Sequence, residues 1–102
     1  MNCNVKIVIL PIAKQDIKEA TLWYNKQQRG LGKRFTSHIR KKTHFLAKEP
    51  YTAAVRYDDI RTGVMDVFPY MVHYSIDESQ NIIIILAVLH TSRKPAIWKE
   101  DR

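Results

Sequence analysis

Residues 82–89 read IIIILAVL and are apolar at every position. Strands exposed on one face alternate apolar and polar side chains, whereas strands covered on both faces are apolar throughout. The segment is therefore predicted to be the central strand of a sheet, covered on both faces, or on one face and by a partner. The polar residues 77–81 predict a turn before it, and His90 marks its end.

Further strands are predicted before this central strand. Residues 5–10 are short and rich in β-branched side chains, and residues 55–57 form a brief candidate. Residues 60–68 form a longer candidate, with Gly63 as a bulge. Residues 70–76 alternate and are predicted to place Tyr70, Val72, Tyr74 and Ile76 on one face and Met71, His73 and Ser75 on the other.

Two helices are predicted between the first strand and the later ones. Pro11 suits a helix start. Proline lacks a backbone N–H, and an N–H in the first turn of a helix would have no acceptor within the helix. The inward face of the first helix is predicted to hold Ala13, Ile17, Ala20, Trp23 and Tyr24. Asp16 and Glu19 lie near its N-terminal end, where the helix dipole favours negative charge.

Gly30 is predicted to cap the first helix in the left-handed conformation. The second helix is predicted to place Leu31, Phe35, Ile39 and Leu46 inward. It ends at residues 49–50, because a residue before proline avoids helical angles. A short glycine turn between two helices predicts an antiparallel helical hairpin.

The predicted order is β-α-α-β-β-β, an α+β fold in which the helical hairpin packs on one face of a mainly antiparallel sheet of about four strands. The length of 102 residues predicts a single domain, residues 1–102, with a basic C-terminal tail at residues 90–102. The other sheet face is predicted to be partly open and to carry either Met71, His73 and Ser75 or their alternating neighbours. A site is expected there, beside the tail.

The composition indicates a globular protein with an anionic partner. The formal net charge is +7 and the pI is near 9.7, which favours nucleic acid, an acidic protein or a membrane surface as partner. No predicted helix pairs a wide apolar face with a basic one, so a membrane is not expected. Cys3 is the one cysteine and no signal peptide is recognisable, so we expect a cytoplasmic protein.

The positive charge is concentrated between residues 29 and 48, which hold seven Lys or Arg and no acid. One interpretation is a solvated helix face that keeps the protein soluble. The other is a docking surface for an acidic partner, with Arg34, Arg40 and Lys41 as its contacts.

Familiar catalytic signatures are missing from the chain. It contains no phosphate-binding glycine loop, no GxSxG and no HExxH. The four histidines lack zinc spacing, and one cysteine adds little to them, so neither a metal nor another cofactor is expected.

The segment after the central strand, residues 88–98 (VLHTSRKPAIW), holds the main candidate site. His90 suits proton transfer near neutral pH, Arg93 can clamp a phosphate or carboxylate, and Trp98 offers a flat contact surface. Lys94 adds a second positive charge beside Arg93. A purely structural interpretation is also open, in which Trp98 covers the sheet edge and the polar groups satisfy neighbouring backbone and carboxylates.

Several segments in this order resemble the RelE/ParE superfamily, the toxins of bacterial type II toxin–antitoxin systems. They are residues 30–32 (Gly-Leu-Gly) followed by Phe35, residues 68–70 (Phe-Pro-Tyr), Tyr74 with Asp77, and the ending Val88, His90, Arg93 and Trp98. The resemblance covers nearly the whole chain and implies the same β-α-α-β-β-β fold. It also implies a cytoplasmic toxin, of the plasmid-stabilisation type, that a cognate acidic antitoxin holds silent in a hetero-oligomer.

The superfamily has two branches, which differ in their target. RelE-like members are ribosome-dependent endoribonucleases that cut mRNA, and this resemblance would make His90, Arg93 and His73 catalytic. ParE-like members are not enzymes and poison DNA gyrase, which would make His90, Arg93, Lys94 and Trp98 target-binding residues.

Departures from the ribonuclease pattern favour the ParE-like branch. Met71 stands where the ribonuclease branch often has an arginine, residues 63–68 contain no Lys or Arg, and no tyrosine follows His90. Metal-free RNA cleavage needs groups that stabilise phosphate charge and transfer protons. DNA gyrase is therefore the expected target. The alternatives are an mRNA endoribonuclease and a degenerate copy that only binds its antitoxin.

Overall fold

The computed structural model describes residues 5–92 of the chain. Its elements are, in order, β1 (Lys6–Ile9), α1 (Pro11–Gln27), α2 (Leu31–Lys48), β2 (Val55–Tyr57), β3 (Ile60–Val64), β4 (Tyr70–Asp77) and β5 (Ile82–His90). The predicted α+β fold is confirmed. The sheet has five strands rather than about four, because the brief segment β2 pairs with β3 at the edge.

The apolar segment that begins at Ile82 is a central strand, as predicted. The sheet order is β1-β5-β4-β3-β2, so β5 pairs on both sides. It runs parallel to β1 and antiparallel to β4, and the β1–β5 pair is the one parallel pair in the described sheet. The long connection that this parallel pair requires consists of both helices and the strands β2, β3 and β4.

A bulge in β5, which the sequence does not predict, changes the direction of its last residues. His73 pairs with Ala87 and Tyr74 with Ile85, so Leu86 has no partner opposite it. An inserted residue reverses the alternation of side chains beyond it. Ile85 and Val88 consequently face the same core although they are three positions apart.

The predicted strand at residues 60–68 is shorter than expected. β3 ends at Val64, and the chain then turns, with the Met65 amide donating to the Tyr70 carbonyl at 2.9 Å. The predicted bulge at Gly63 is wrong, because the register with β4 runs through it without a shift. The glycine instead allows a close contact with helix α2. A Cβ atom would lie 3.1 Å from a Leu46 methyl, so helix α2 packs against the bare backbone.

The helix boundaries largely follow the prediction. Pro11 is the first residue of α1, and α2 ends at Lys48, before Pro50.

Trp23 was predicted to face inward, and this is wrong, since 54% of its surface is exposed. It lies on the flank of the buried face and meets the Tyr24 ring edge-on at 5.0 Å. Neither α1 nor α2 has the length and apolar character needed to cross a membrane.

The two glycines at the junction of the helices, Gly30 before α2 and Gly32 in its first turn, have different roles. Gly30 adopts the predicted left-handed conformation, with φ of 84°, but α1 ends three residues earlier and Gly30 precedes α2 as its N-cap. Gly32 lies where the helices touch. A Cβ atom there would be 2.4 Å from the Thr21 carbonyl oxygen, and its amide donates to Asn25 Oδ1 at 2.9 Å.

The main core lies between the helices and the sheet face that carries Val72 and Tyr74. At one end of it, four aromatic rings from α1, α2, the segment before β4 and the first residue of β4 pack together: Tyr24, Phe35, Phe68 and Tyr70. The opposite sheet face was predicted to be partly open, and at Met71 and His73 this is wrong. Met71 is 4% exposed and His73 is fully buried.

Candidate functional site

The end of β5, which holds the predicted residue His90, opens onto a groove between the sheet and helix α1. The groove is on the sheet face that the helices cover, whereas the sequence predicts a site on the opposite face. The groove encloses about 460 Å³. Its lining residues come from α1, from residues 69–70 and from the end of β5: Asp16, Glu19, Ala20, Trp23, Tyr24, Pro69, Tyr70, Val88, Leu89 and His90. His90 is thus the one predicted target-binding residue placed in a described groove, since Arg93, Lys94 and Trp98 lie outside the described residues.

The groove exists because β1 is shorter than β5. β1 ends at Ile9, and the Leu10 amide makes the last bond between them, to the Ile85 carbonyl at 3.1 Å. Beyond this point α1 lies beside β5 in place of a strand. The bulge at Leu86 turns the Val88 amide toward α1, where it donates to Asp16 Oδ2 at 3.1 Å.

Asp16 therefore has a different role from the predicted one. The first turn of α1 contains no acidic residue, so neither Asp16 nor Glu19 lies where the dipole interaction is appreciable. Asp16 instead satisfies a backbone donor that the short β1 leaves without a strand partner. Glu19 is exposed and accepts from Gln15 Nε2 at 3.0 Å.

His90 lies at the mouth of the groove. Its ring meets the Tyr70 ring edge-on, with 5.3 Å between centroids. The Ser92 amide donates to His90 Nδ1 at 3.1 Å, and the Ser92 hydroxyl lies 2.9 Å from the same atom. Because Nδ1 accepts the bond from the Ser92 amide, a neutral ring carries its proton on Nε2 and presents a donor there rather than a base.

The two candidate catalytic histidines lie on opposite faces of the sheet. His90 of β5 pairs with Tyr70 of β4. His73 lies three residues after Tyr70 in β4 and pairs with Ala87 of β5. Side chains alternate along β4, so Tyr70 and His73 point away from each other. His73 is buried, with Nδ1 3.2 Å from the Tyr57 hydroxyl. The structure therefore does not bring the two imidazoles together at one reaction centre.

The charge of the groove is opposite to that of the chain. Its described lining holds Asp16 and Glu19 and no lysine or arginine. These are the only acidic residues among the first 48, which include eleven Lys or Arg. Burial raises the pKa of the Tyr24 phenol, and nearby Tyr70 raises it further, so this ring stays neutral in the groove wall.

Sequence reasoning missed most of the groove lining. The predicted roles of Trp23 in the core and of Asp16 in the helix dipole are both wrong, and the structure places both side chains in the groove lining. The available signal was the width of the apolar stripe on α1, because a tryptophan at its flank ends up at the border of the packed face. The length difference between β1 and β5, which creates the groove, has no such local signal.

The three predicted antitoxin-binding residues, Arg34, Arg40 and Lys41, are all exposed on α2. They do not lie on one face. Side chains of successive helical residues diverge by about 100°, so Arg40 and Lys41 point in different directions, whereas Arg34 and Lys41 are seven positions apart and nearly aligned.

Replacement of Asp16 by alanine is expected to lower the free energy of unfolding by about 1–3 kcal/mol, because the Val88 amide loses its acceptor. Chemical denaturation followed by circular dichroism measures this. Glu19→Ala is the matched control in the same groove, and its expected effect is about 0.5 kcal/mol or less. Equal losses in the two variants would mean that the Asp16–Val88 bond does not stabilise the fold.

Comparisons with known proteins agree with this architecture. A family model described as the ParE toxin of the type II toxin–antitoxin system parDE matches residues 7–95. A chain of the chromosomal ParDE system from P. aeruginosa superposes with a TM-score of 0.75 at 14% identity, over 89% of this chain and 100% of that one. The isolated E. coli RelE toxin superposes with a TM-score of 0.65 at 11% identity, over 95% of each chain.

At these identities the two solved structures establish the fold alone, and among curated protein sequences none is significantly similar to this chain. The family model carries the assignment, because it spans β1, the helical hairpin and the remaining strands in one match. The chain belongs to the ParE toxin family of type II toxin–antitoxin systems.

Proposed function

We propose that this protein poisons DNA gyrase in the cytoplasm through the groove at the end of β5, and that a cognate acidic antitoxin neutralises it. The observation that carries the choice of target is the lining of the groove. Two carboxylates and three aromatic rings line it without a described cation. Aromatic side chains are typical anchors of protein interfaces, whereas carboxylates repel an RNA phosphate.

The ribonuclease alternative needs a set of residues that the central strands do not provide. β4 and β5 contain no lysine or arginine, and their two histidines lie on opposite faces. Stabilising the charge that develops on a cleaved phosphate requires donors or cations at one point. The proposal therefore assigns His90, Arg93, Lys94 and Trp98 to contact with a protein target and leaves His73 as a buried core residue.

Purified protein is incubated with gyrase, ATP and supercoiled plasmid, and separately with translating ribosomes and a reporter mRNA. We expect cleaved plasmid in the first reaction and intact message in the second. Message cut on the ribosome, with gyrase unaffected, would replace this proposal by the ribonuclease function. A protein that is inactive in both reactions would be a degenerate copy whose remaining role is to bind an antitoxin.

A pair of variants on α1 tests whether the groove is the contact surface. Trp23 and Leu22 are neighbours and are each 54% exposed, but only Trp23 lines the groove. Trp23→Ala is expected to reduce gyrase-dependent cleavage by about tenfold or more, as for an aromatic anchor, and Leu22→Ala by about twofold or less. The same loss in both would place the contact surface elsewhere on the protein.

A substitution at His90 distinguishes a role in contact with the target from a role in catalysis. Removing a catalytic acid or base lowers a rate by about 10²–10⁴. Under the gyrase proposal His90→Gln is expected to reduce plasmid cleavage by less than about tenfold, because it removes one contact among several. His44→Gln, on the exposed surface of α2, is the control. Cleavage of the reporter mRNA on the ribosome that falls about a hundredfold or more in His90→Gln alone would indicate proton transfer at this residue.

A further inference from the structure

A continuous row of four aromatic rings lines the groove beside the end of β5. The ring centre of Tyr24 lies 5.0 Å from that of Trp23 and 6.1 Å from that of Tyr70. The Tyr70 ring in turn lies 5.3 Å from that of His90. Trp23 is 54% exposed at one end of the row, although its neighbour Tyr24 is buried. An indole face attracts a cation more strongly than the other aromatic rings do, so the row opens to solvent at the ring best suited to a positive charge.

Two carboxylates lie along the same side of α1 as Trp23. Asp16, Glu19 and Trp23 follow steps of three and four, so their side chains line up on the helix. Ala20 is buried between them and lines the groove with a small side chain, which leaves space beside the carboxylates. Lys18 lies two positions from Asp16, which is about 200° around the helix, and it does not line the groove. The helix therefore presents two negative charges and an indole to one space.

The hydrogen bonds that these carboxylates accept do not neutralise them. Asp16 accepts from the backbone amide of Val88, and Glu19 accepts from the side-chain amide of Gln15. An amide donor carries no formal charge, and a carboxylate has about four acceptor sites on its two oxygens. A positively charged donor can therefore enter the groove without breaking either bond.

We propose that the groove receives an arginine side chain of the target protein, an inference that rests on the proposed function. A guanidinium is planar, donates two parallel hydrogen bonds to a carboxylate and stacks on an aromatic face. In the groove it donates to Asp16 and Glu19 while its plane lies against Trp23. The volume of about 460 Å³ is within the range of pockets that hold small ligands, roughly 300–1,000 Å³, so one long side chain fits.

Other occupants fit this lining less well. A lysine ammonium is a strongly hydrated point charge and cannot form the parallel pair of bonds. A calcium ion takes about six to eight oxygen ligands, and no three His, Cys, Asp or Glu side chains come together among residues 5–92. An apolar side chain would remove water from the carboxylates without replacing its hydrogen bonds. The combination of carboxylates and an exposed indole therefore favours a guanidinium.

The test is an NMR titration of the isotope-labelled full-length protein with N-acetyl-arginine amide. N-acetyl-citrulline amide, which has nearly the same shape but a neutral urea group, and N-acetyl-lysine amide are the comparison probes. The signals followed are the indole N–H of Trp23, which Trp98→Phe distinguishes from the other indole, and the backbone amides of Glu19 and Leu89. Each probe is added to about 20 mM, because a ligand of this size binds with a Kd on the order of 1 mM. The ionic strength is held at about 150 mM, where charges more than roughly 8 Å apart are largely screened.

We expect the arginine probe to shift the groove signals, with the lysine probe binding about threefold or more weakly and the citrulline probe about tenfold or more weakly. Glu19→Gln and Asp16→Asn are each expected to weaken arginine binding by about threefold or more. Asparagine keeps an acceptor oxygen for the Val88 amide, so this variant removes the charge without removing the bond. Glu49→Gln removes the same charge from an exposed residue outside the groove, and its expected effect is less than about twofold.

Four results would overturn the proposal. Groove signals that do not respond to the arginine probe would exclude the groove as its site. Equal binding of the citrulline probe would show that the guanidinium charge is not recognised. Equal losses in Glu19→Gln and Glu49→Gln would indicate attraction by overall charge. Residues 93–102 include four Lys or Arg and are the competing source of a cation. Arginine binding that becomes about tenfold tighter in an Arg93→Ala, Lys94→Ala double variant would assign the groove to this segment.

The titration contains no gyrase, so its failure contradicts this inference and leaves the gyrase proposal standing. Failure of the unsubstituted protein to cleave plasmid with gyrase contradicts the proposed function instead. The two assays meet in the Asp16→Asn, Glu19→Gln double variant, which is expected to reduce gyrase-dependent cleavage by about tenfold or more. Full cleavage by a double variant that no longer binds the arginine probe would show that the groove does not receive an arginine of the target.

Discussion

Replacing Phe35 by alanine is expected to lower the free energy of unfolding by about 3–5 kcal/mol. Phe35 is fully buried, and its ring centre lies 5.3 Å from that of Tyr24, 5.2 Å from that of Phe68 and 5.2 Å from that of Tyr70. The ring thus joins α2 to α1 and to the segment before β4. Its removal leaves a cavity in a place where three elements meet, so the surroundings have little freedom to collapse into it.

Phe45→Ala is the matched control, since it makes the same truncation on the same helix at a residue that is 45% exposed. Its expected cost is about 1 kcal/mol or less, because little apolar area returns to water. Urea unfolding followed by circular dichroism at 222 nm, a standard helix signal, measures both variants. Similar midpoints for Phe35→Ala and the unsubstituted protein would mean that Phe35 does not lie in the core.

Gly32→Ala is expected to destabilise the protein by about 2–3 kcal/mol, although alanine is the better helix former. The added methyl group would lie 2.4 Å from the Thr21 carbonyl oxygen and 2.7 Å from Asn25 Cγ. A backbone oxygen cannot move aside alone, so α1 and α2 must separate. Their separation strains the Thr21–Thr36 hydroxyl contact of 3.2 Å and the bond from the Gly32 amide to Asn25.

Lys33→Ala, at the next position of the same helix, provides the control because Lys33 is exposed. It is expected to change the free energy of unfolding by about 0.5 kcal/mol or less. Thermal unfolding of the two variants compares them directly. A Gly32→Ala variant as stable as Lys33→Ala would show that the helices are further apart at this point than the structure places them.

Features of the fold that depend on neighbouring residues could be predicted, whereas features that depend on contacts between distant residues could not. Pro11 at the start of α1, the end of α2 before Pro50 and the left-handed Gly30 depend on backbone angles of one or two residues, and all three were predictable. The predicted inward position of Trp23 was wrong because helical periodicity gives the direction of a side chain but not the width of the surface packed against it.

The candidate site was less predictable than the fold. His90 could be singled out, because an imidazole directly after an apolar strand is visible in the sequence. The separation of His73 from His90 depends on which residues of β4 and β5 pair, and the contact of Asp16 with Val88 joins residues 72 positions apart. No pattern among neighbouring residues predicts the separation of the two histidines or the contact of Asp16 with Val88.

The sequence by itself determined the α+β class, the two helices, the central position of residues 82–89 and the family resemblance, because periodicity, helix-ending residues and motif order are properties of neighbouring positions. Only the tertiary structure decided that Leu86 bulges, that β1 stops short of the end of β5, and that two rare acids and an exposed tryptophan line the resulting groove. The physical reason is that register and strand length are set by contacts between distant segments. A shift of one residue in such a contact sends each later side chain to the opposite face of the sheet.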